Sequence, residues 1–113
     1  MEGNKCYTDS KEEILNTIYD IVELQNGQLL ISDVIHGRIL CKLSMYGNTW
    51  EFMYTVSATN GGKHNVNISV SGDHINKERE LRRAFALLDS LLDNAPRGGG
   101  ARHPHLGKVT AIH

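Results

Sequence analysis

The sequence is poor in the residues that most often reveal a protein class. It contains two cysteines, two prolines and 6% aromatic residues among 113 positions, and its formal net charge is -1 at pH 7. Two cysteines cannot form a disulfide framework, and so small a charge gives no overall attraction to nucleic acid or anionic lipid. The chain has no signal-peptide h-region and no apolar run near the ~20 residues of a membrane span. We therefore expect a cytoplasmic protein without a membrane segment.

Recognisable catalytic and cofactor-binding motifs are also missing. The chain has no G-x-S-x-G, H-E-x-x-H, P-loop or G-x-G-x-x-G pattern. Cys41 is expected to face the core, where burial makes a thiol inert, and Ser10 is explained as a helix cap. His103, His105 and His113 lack the fixed geometry of a metal site. We expect no catalytic residue, metal or cofactor, and keep a small enzyme with an unrecognised site as an alternative.

What the sequence does contain is the composition of one globular domain. Hydrophobic residues make up 40% and charged residues 22% of the chain, which argues against disorder. Residues 1–94 hold nine Lys/Arg and thirteen Asp/Glu, whereas residues 95–113 hold three basic residues and no acid. We predict an N-terminal extension over residues 1–9, a single domain over residues 10–94, and a basic tail with glycine and histidine over residues 95–113.

A helix is indicated directly after residue 10. Ser10 and Glu13 have the spacing of a capping box, in which each side chain binds the other residue's backbone amide. Apolar residues then recur every three or four positions, and Asn26-Gly27 supplies a left-handed stop. This pattern predicts a first helix over about residues 11–25. Its outward face is expected to be acidic and solvated, with Glu12, Glu13, Asn16, Asp20 and Glu23.

The clearest pattern is a period of two between residues 38 and 71. Apolar side chains occupy odd positions from 39 to 45 and even positions from 50 to 58, and the alternation continues over residues 66–70. Such alternation is typical of strands with one buried face. The opposite face should be open to water, with Leu40 and Met53 as its two apolar residues.

The turns between these strands are less uniformly marked. Tyr46-Gly47-Asn48-Thr49 predicts a hairpin with Gly47 and Asn48 as its loop, and residues 60–63 predict a longer turn. Residues 28–37 are apolar enough for a strand, but the end of that strand is open. Either Ser32-Asp33 forms a tight turn, or Gly37 is a bulge in one long bent strand.

A second helix follows, with Asp73 or Asn76 as its cap and Pro96 as its limit. Its apolar stripe is Leu81, Ala84, Phe85, Leu88, Leu91 and Leu92. The elements predict an α+β two-layer sandwich in the order α-β-β-β-β-α. In it, an antiparallel meander of three or four strands carries the N-terminal and C-terminal helices on one face.

The remaining surfaces suggest binding to a protein. Arg79, Arg82 and Arg83 lie on the outward face of the second helix, and Lys42 and Met53 lie on the open sheet face. These five residues are our candidate partner-binding residues. A compact domain of this kind suits a stoichiometric inhibitor or regulator of the phage, mobile-element or immunity type, by analogy of architecture. A homodimer through the sheet face or the helices is also allowed.

RNA or other nucleic acid is the alternative partner. The helix-strands-helix order is similar to that of double-stranded-RNA-binding domains, and Gly62-Lys63-His64 before a strand resembles that family's loop. The acids Glu78 and Glu80 depart from the basic helix start of that family. The residues that would contact phosphates are Lys63, His64, Arg79, Arg83, Arg97 and Arg102.

Overall fold

The alternating segment forms long antiparallel strands that lie between two helices in the chain. The computed structural model describes residues 1–45, 47–72 and 76–93, so the predicted tail over residues 95–113 lies outside the described part. In chain order the elements are β1 (Glu2–Tyr7), α1 (Lys11–Leu24), β2 (Gln28–Asp33), β3 (Arg38–Met45), β4 (Asn48–Ala58), β5 (His64–Gly72) and α2 (Lys77–Asp93).

The five strands form one antiparallel sheet in the order β1-β5-β4-β3-β2. Cys41 of β3 lies opposite Phe52 of β4, which in turn lies opposite Val70 of β5. α1 packs on β4, α2 packs on β5, and the two helices contact each other. This confirms the predicted α+β class, with two helices over an antiparallel sheet.

The buried face of the sheet is the one that the alternation indicates. Trp50, Phe52 and Tyr54 are at most 3% exposed, whereas Glu51 is exposed. Ala58, expected on the buried face, is exposed at the end of β4. The core joins these strands to apolar residues of both helices, namely Ile14, Leu15, Ile18, Ile21, Val22, Leu81, Ala84, Leu88 and Leu92.

The predicted capping box begins α1. The Glu13 amide donates to Ser10 Oγ at 3.1 Å, and the Ser10 amide donates to Glu13 Oε1 at 3.3 Å. Asn26 has a φ of +53°, as expected for the left-handed stop. Asn16 differs from the prediction, because it is 2% exposed rather than solvated. Residues 14–19 are all buried, since both the sheet and α2 pack against α1.

The sheet has five strands rather than the three or four predicted, because β1 carries no alternation of apolar residues. β1 lies within the segment over residues 1–9 that was expected to extend from the domain. The Val70 amide donates to the Met1 carbonyl at 2.8 Å, and Gly3 lies close enough to α2 that a Cβ there would be 3.3 Å from Phe85. The element order is therefore β-α-β-β-β-β-α, and the helix-first order that resembles double-stranded-RNA-binding domains is not kept.

Residues 28–37 form a separate strand followed by a turn. β2 ends at Asp33, and Gly37 has a φ of +68° in the turn instead of forming a bulge. The Gly37 amide donates to the Val34 carbonyl at 3.1 Å, which closes this turn. The next hairpin is also shifted from the prediction, because Asn48 is already the first residue of β4, opposite Met45.

Candidate functional site

Three consecutive apolar side chains of β2 are exposed to solvent at the end of the sheet. Leu29, Leu30 and Ile31 are 38%, 41% and 43% exposed, and Ile35 in the following turn is 79% exposed. β2 pairs with β3 on one side, and the described residues place no strand on its other side. An edge strand of this kind presents backbone hydrogen-bonding groups and apolar side chains together, so it can pair with another polypeptide strand.

A β-bulge explains why apolar side chains of β2 reach solvent on both faces of the sheet. Leu29 lies opposite Cys41 and Ile31 lies opposite Leu40, so Leu30 is one extra residue in the ladder. Directly opposed residues of an antiparallel pair share a face. Leu29 is therefore on the helix side, and Ile31 is on the open side.

Ile31 starts an apolar row that runs across three strands, β2, β3 and β4, on the open face of the sheet. It lies opposite Leu40 of β3, which lies opposite Met53 of β4. Leu40 and Met53 are both half-buried by their neighbours alone, since the helices cover the other face. We name these residues together the edge surface: Leu29, Leu30, Ile31, Leu40 and Met53.

Polar residues border the apolar row on both sides. On one side Lys42 lies opposite both Gln28 and Glu51, and on the other Arg38 lies opposite Asp33. Lys42, predicted together with Met53 as a binding residue, is exposed beside this row. An apolar centre within a polar rim is the usual arrangement of a protein-protein interface.

The Asp33 carboxylate holds the turn at the end of β2. It accepts from the His36 amide at 3.1 Å, from His36 Nδ1 at 2.9 Å and from Arg38 Nη2 at 3.4 Å. The His36 amide bond, followed by the His36 ring, lowers the pKa of Asp33 below its ordinary value. The carboxylate is therefore charged at neutral pH, and the Arg38 guanidinium of β3 is its neighbouring cation.

The opposite edge of the sheet is different in character. Lys5 Nζ of β1 donates to Asp89 Oδ2 of α2 at 2.6 Å, and Tyr7 Oη donates to Asp89 Oδ1 at 2.6 Å. Glu2 and Asn4 are exposed on the other face of this strand. A charged and polar edge discourages pairing with another strand. The sheet therefore has one polar edge and one apolar edge.

The three predicted arginines of α2 lie on the helix side of the molecule, away from Lys42 and Met53 on the open face. Arg79, Arg82 and Arg83 are all exposed. Arg83 Nη1 donates at 3.2 Å to Glu80 Oε1, and Glu80 is only 4% exposed. With its side-chain carbonyl turned towards Arg83, Gln25 accepts from the same guanidinium at 3.1 and 3.2 Å. Arg83 thus links α2 to the end of α1, and these contacts stabilise the fold.

The residues proposed for nucleic acid that the structure describes do not all lie in one patch. Lys63 and His64 lie at the start of β5, whereas Arg79 follows its other end in α2. β5 has nine residues and spans about 30 Å at ~3.3 Å per residue. His64 Nδ1 also donates to the Asp9 carbonyl at 3.1 Å. Arg97 and Arg102 lie outside the described residues.

Other features offer little for chemistry. Burial raises the pKa of Cys41 to about 12, while Cys6 is exposed on β1. Among residues 1–45, 47–72 and 76–93, no three His, Cys, Asp or Glu side chains are placed to hold a metal ion. An open depression of about 400 Å³ is lined by Asp20, Glu23, Leu24 and Leu91, none of which belongs to the edge surface. No described helix has the length and apolar character needed to cross a membrane.

Comparison with known proteins gives no further guide. No protein-family model matches the sequence, and no curated protein matches it. Function is therefore inferred from the edge surface and the charges around it.

Most of the edge surface was not among the predicted site residues. Met53 was predicted, but Leu29, Leu30 and Ile31 were assigned only to an apolar strand. The available signal was the unbroken apolar run at positions 29–31, which does not fit a strand with one wet face. Such a run usually indicates a strand that is buried on both faces. Only the strand order reveals that this strand is at an edge, and strand order is not a local property of sequence.

Proposed function

We propose that this protein is a small non-enzymatic binding module of the cytoplasm, which acts as a stoichiometric inhibitor or regulator of a protein partner. The observation that carries this proposal is the edge surface, because exposed apolar side chains occur there on a strand whose outer side pairs with none of the described strands. Main-chain hydrogen bonds to an added strand supply affinity, and the alternate side chains supply specificity. The partner is therefore expected to present an extended, largely apolar segment.

The neighbouring charges support a protein partner over an apolar small molecule. Arg38 and Lys42 are exposed on either side of the apolar row, with Asp33 and Glu51 opposite them. Charges of both signs around an apolar centre favour one register and one partner, and disfavour others. The apolar side chains of β2 are also exposed to solvent, whereas small-molecule sites bury most of their ligand in a concave pocket.

The arginines of α2 make a second, weaker candidate contact. Arg82 is exposed and remains available to an acidic partner, whereas Arg79 is exposed but its Nε lies 4.0 Å from Glu80 Oε2. Arg83 is engaged with Glu80, so its substitution would change the fold as well as the surface. This surface lies on the opposite side of the sheet from Ile31, Leu40 and Met53, so the two can be tested independently.

The test is affinity capture with the tagged full chain from a lysate of its native host. We expect Ile31→Lys to reduce recovery of the specific partner at least tenfold, because it places a charge at the outer end of the apolar row, on the strand that would pair with the partner. Asn4→Lys puts the same side chain on the polar edge and should retain the partner. Arg82→Glu tests the α2 surface in the same assay.

An unchanged set of captured proteins in Ile31→Lys would remove the edge surface from this proposal. Loss of the partner in Arg82→Glu alone would move the binding site to α2. Capture of nucleic acid that salt releases from wild type and Ile31→Lys alike would favour the nucleic-acid alternative.

A further inference from the structure

We propose that a partner of the edge surface is a second copy of this chain, with the two β2 strands paired antiparallel. The two five-stranded sheets would then join into one sheet of ten strands. This proposal rests on the proposed function, because it names an occupant of the same surface. It differs from the homodimer expected from sequence, which used the sheet face or the helices.

β2 is complementary to itself when it is reversed. Its sequence runs from Gln28 to Asp33, and the aspartate at its end is the sole charged residue among the six. In an antiparallel pair related by a two-fold axis, each Asp33 lies near the Gln28 end of the other copy. The two carboxylates are then separated by most of the strand length, about 15 Å at ~3.3 Å per residue. Apolar residues meet at the centre.

Charge does not oppose the approach of two copies. Each Asp33 already accepts hydrogen bonds from His36 and Arg38 of its own chain. Lys42 lies opposite Gln28 on β3, one strand in from the edge. By contrast, two β1 edges would bring together strands that each carry Glu2 and Lys5, whose side chains are exposed or tied to α2.

The two-fold pairing also extends the apolar row. An axis that relates neighbouring antiparallel strands is perpendicular to the sheet, so both copies keep their helices on the same side. In this register Ile31 of one copy lies opposite Leu30 of the other, directly beside the row of Ile31, Leu40 and Met53 in that copy. The joined open face gains one continuous apolar band across the axis.

The apolar area exposed at and beside β2 indicates how tightly two copies should bind each other. Leu29, Leu30 and Ile31 of the edge surface, together with Ile35 in the next turn, expose an apolar area of roughly 350 Å². This area is within the ~300–600 Å² of the largest apolar patch on a typical monomer. A standard stable interface buries about 800 Å² on each partner. The bulge at Leu30 also shortens the ladder that two β2 strands can form. We therefore expect a dissociation constant on the order of 1–100 μM.

Sedimentation velocity of the full chain in reducing buffer tests this directly. Between roughly 0.1 and 500 μM, a range that brackets that constant, the mass should rise from 12.6 kDa towards twice that value. Ile31→Lys and Leu30→Lys should each weaken association at least tenfold. Asn4→Lys, the same change on the β1 edge, should associate like wild type. Thermal melting of every variant confirms that it is folded.

Amide hydrogen exchange supplies the second readout. Protection over residues 28–33 should increase with protein concentration in wild type, and should not do so in Ile31→Lys. A wild-type mass that stays at the monomer value throughout would overturn the second copy as occupant, while partner capture would still decide the proposed function. Association that survives both lysine substitutions would place the dimer contact elsewhere. A dimer lost in Ile31→Lys beside unchanged partner capture would keep this inference and remove the edge surface from the proposed function.

Discussion

Gly37 shows how a single residue can determine the placement of the edge strand. Its φ of +68° is a conformation that side chains with a Cβ rarely adopt. Its carbonyl accepts from the Val56 amide at 2.8 Å, and a Cβ at this position would lie 2.4 Å from the Val56 carbonyl oxygen. The turn between β2 and β3 therefore depends on close backbone contact with β4.

Gly37→Ala is expected to lower the free energy of unfolding by about 2–4 kcal/mol, because it combines a strained φ with a backbone collision. Gly61→Ala is the matched control. Gly61 has a φ of +86° but nothing within 4 Å of a built Cβ, so only the conformational cost of about 1–2 kcal/mol applies. Urea denaturation measures both. Equal costs at the two glycines would contradict the close approach at Gly37.

α2 combines an apolar stripe with one buried carboxylate. Leu81, Ala84 and Leu88 are buried as the helical spacing predicts. Glu80 is buried as well, with only 4% of its surface exposed. Arg83 Nη1 donates a hydrogen bond to Glu80 Oε1 at 3.2 Å, which makes an ion pair. Burial of a carboxylate without a paired cation lowers the stability of a fold, so the exposed Arg83 stabilises this one.

Arg83→Glu is therefore expected to destabilise the domain by about 2–3 kcal/mol, discounted from the 3–5 kcal/mol of a fully buried pair because Arg83 is partly exposed. Arg82→Glu changes the same charge at the neighbouring position and should shift stability by less than about 0.5 kcal/mol. Chemical denaturation of the two variants makes the comparison. Similar stabilities would mean that Glu80 does not depend on Arg83.

Sequence predicts those elements whose determinants are local. The capping box at Ser10, the alternation of β3 to β5 and the stripe of α2 all depend on residues a few positions apart, and the structure confirms them. β1 could not be predicted, because it is held by partners far away in the chain: β5, whose paired residues are 57 to 67 positions away, and Asp89, which is 84 and 82 positions from Lys5 and Tyr7. The burial of Glu80 and the edge position of β2 escape prediction for the same reason.

The two ends of the described chain are joined through β1. This strand pairs with β5 along its whole length, and Tyr7 is 9% exposed beneath α2. Lys5 Nζ and Tyr7 Oη both bind the carboxylate of Asp89. Residues 2–7 therefore contribute to the same core as the rest of the sheet.

Deletion of residues 1–7 is expected to destabilise the whole domain by at least about 3 kcal/mol. The loss of Tyr7 burial alone accounts for ~1.5–3 kcal/mol, and the hydrogen bonds of a paired strand add to it. Lys5→Ala, which removes only a partly exposed ion pair, should cost less than about 1 kcal/mol. Thermal unfolding followed by circular dichroism distinguishes these cases. A deletion variant as stable as wild type would show that residues 1–7 are a dispensable extension.

The contrast between the two sheet edges limits how far association can proceed. If β2 is the one strand edge that can pair with a second copy, both such edges are occupied once two copies associate, so association stops at a dimer. The charged β1 strand would form both outer boundaries of that pair, as a cap rather than a new template. Replacement of Glu2 and Lys5 by apolar residues would supply a second adhesive end, and the closed pair would become the repeating unit of a filament.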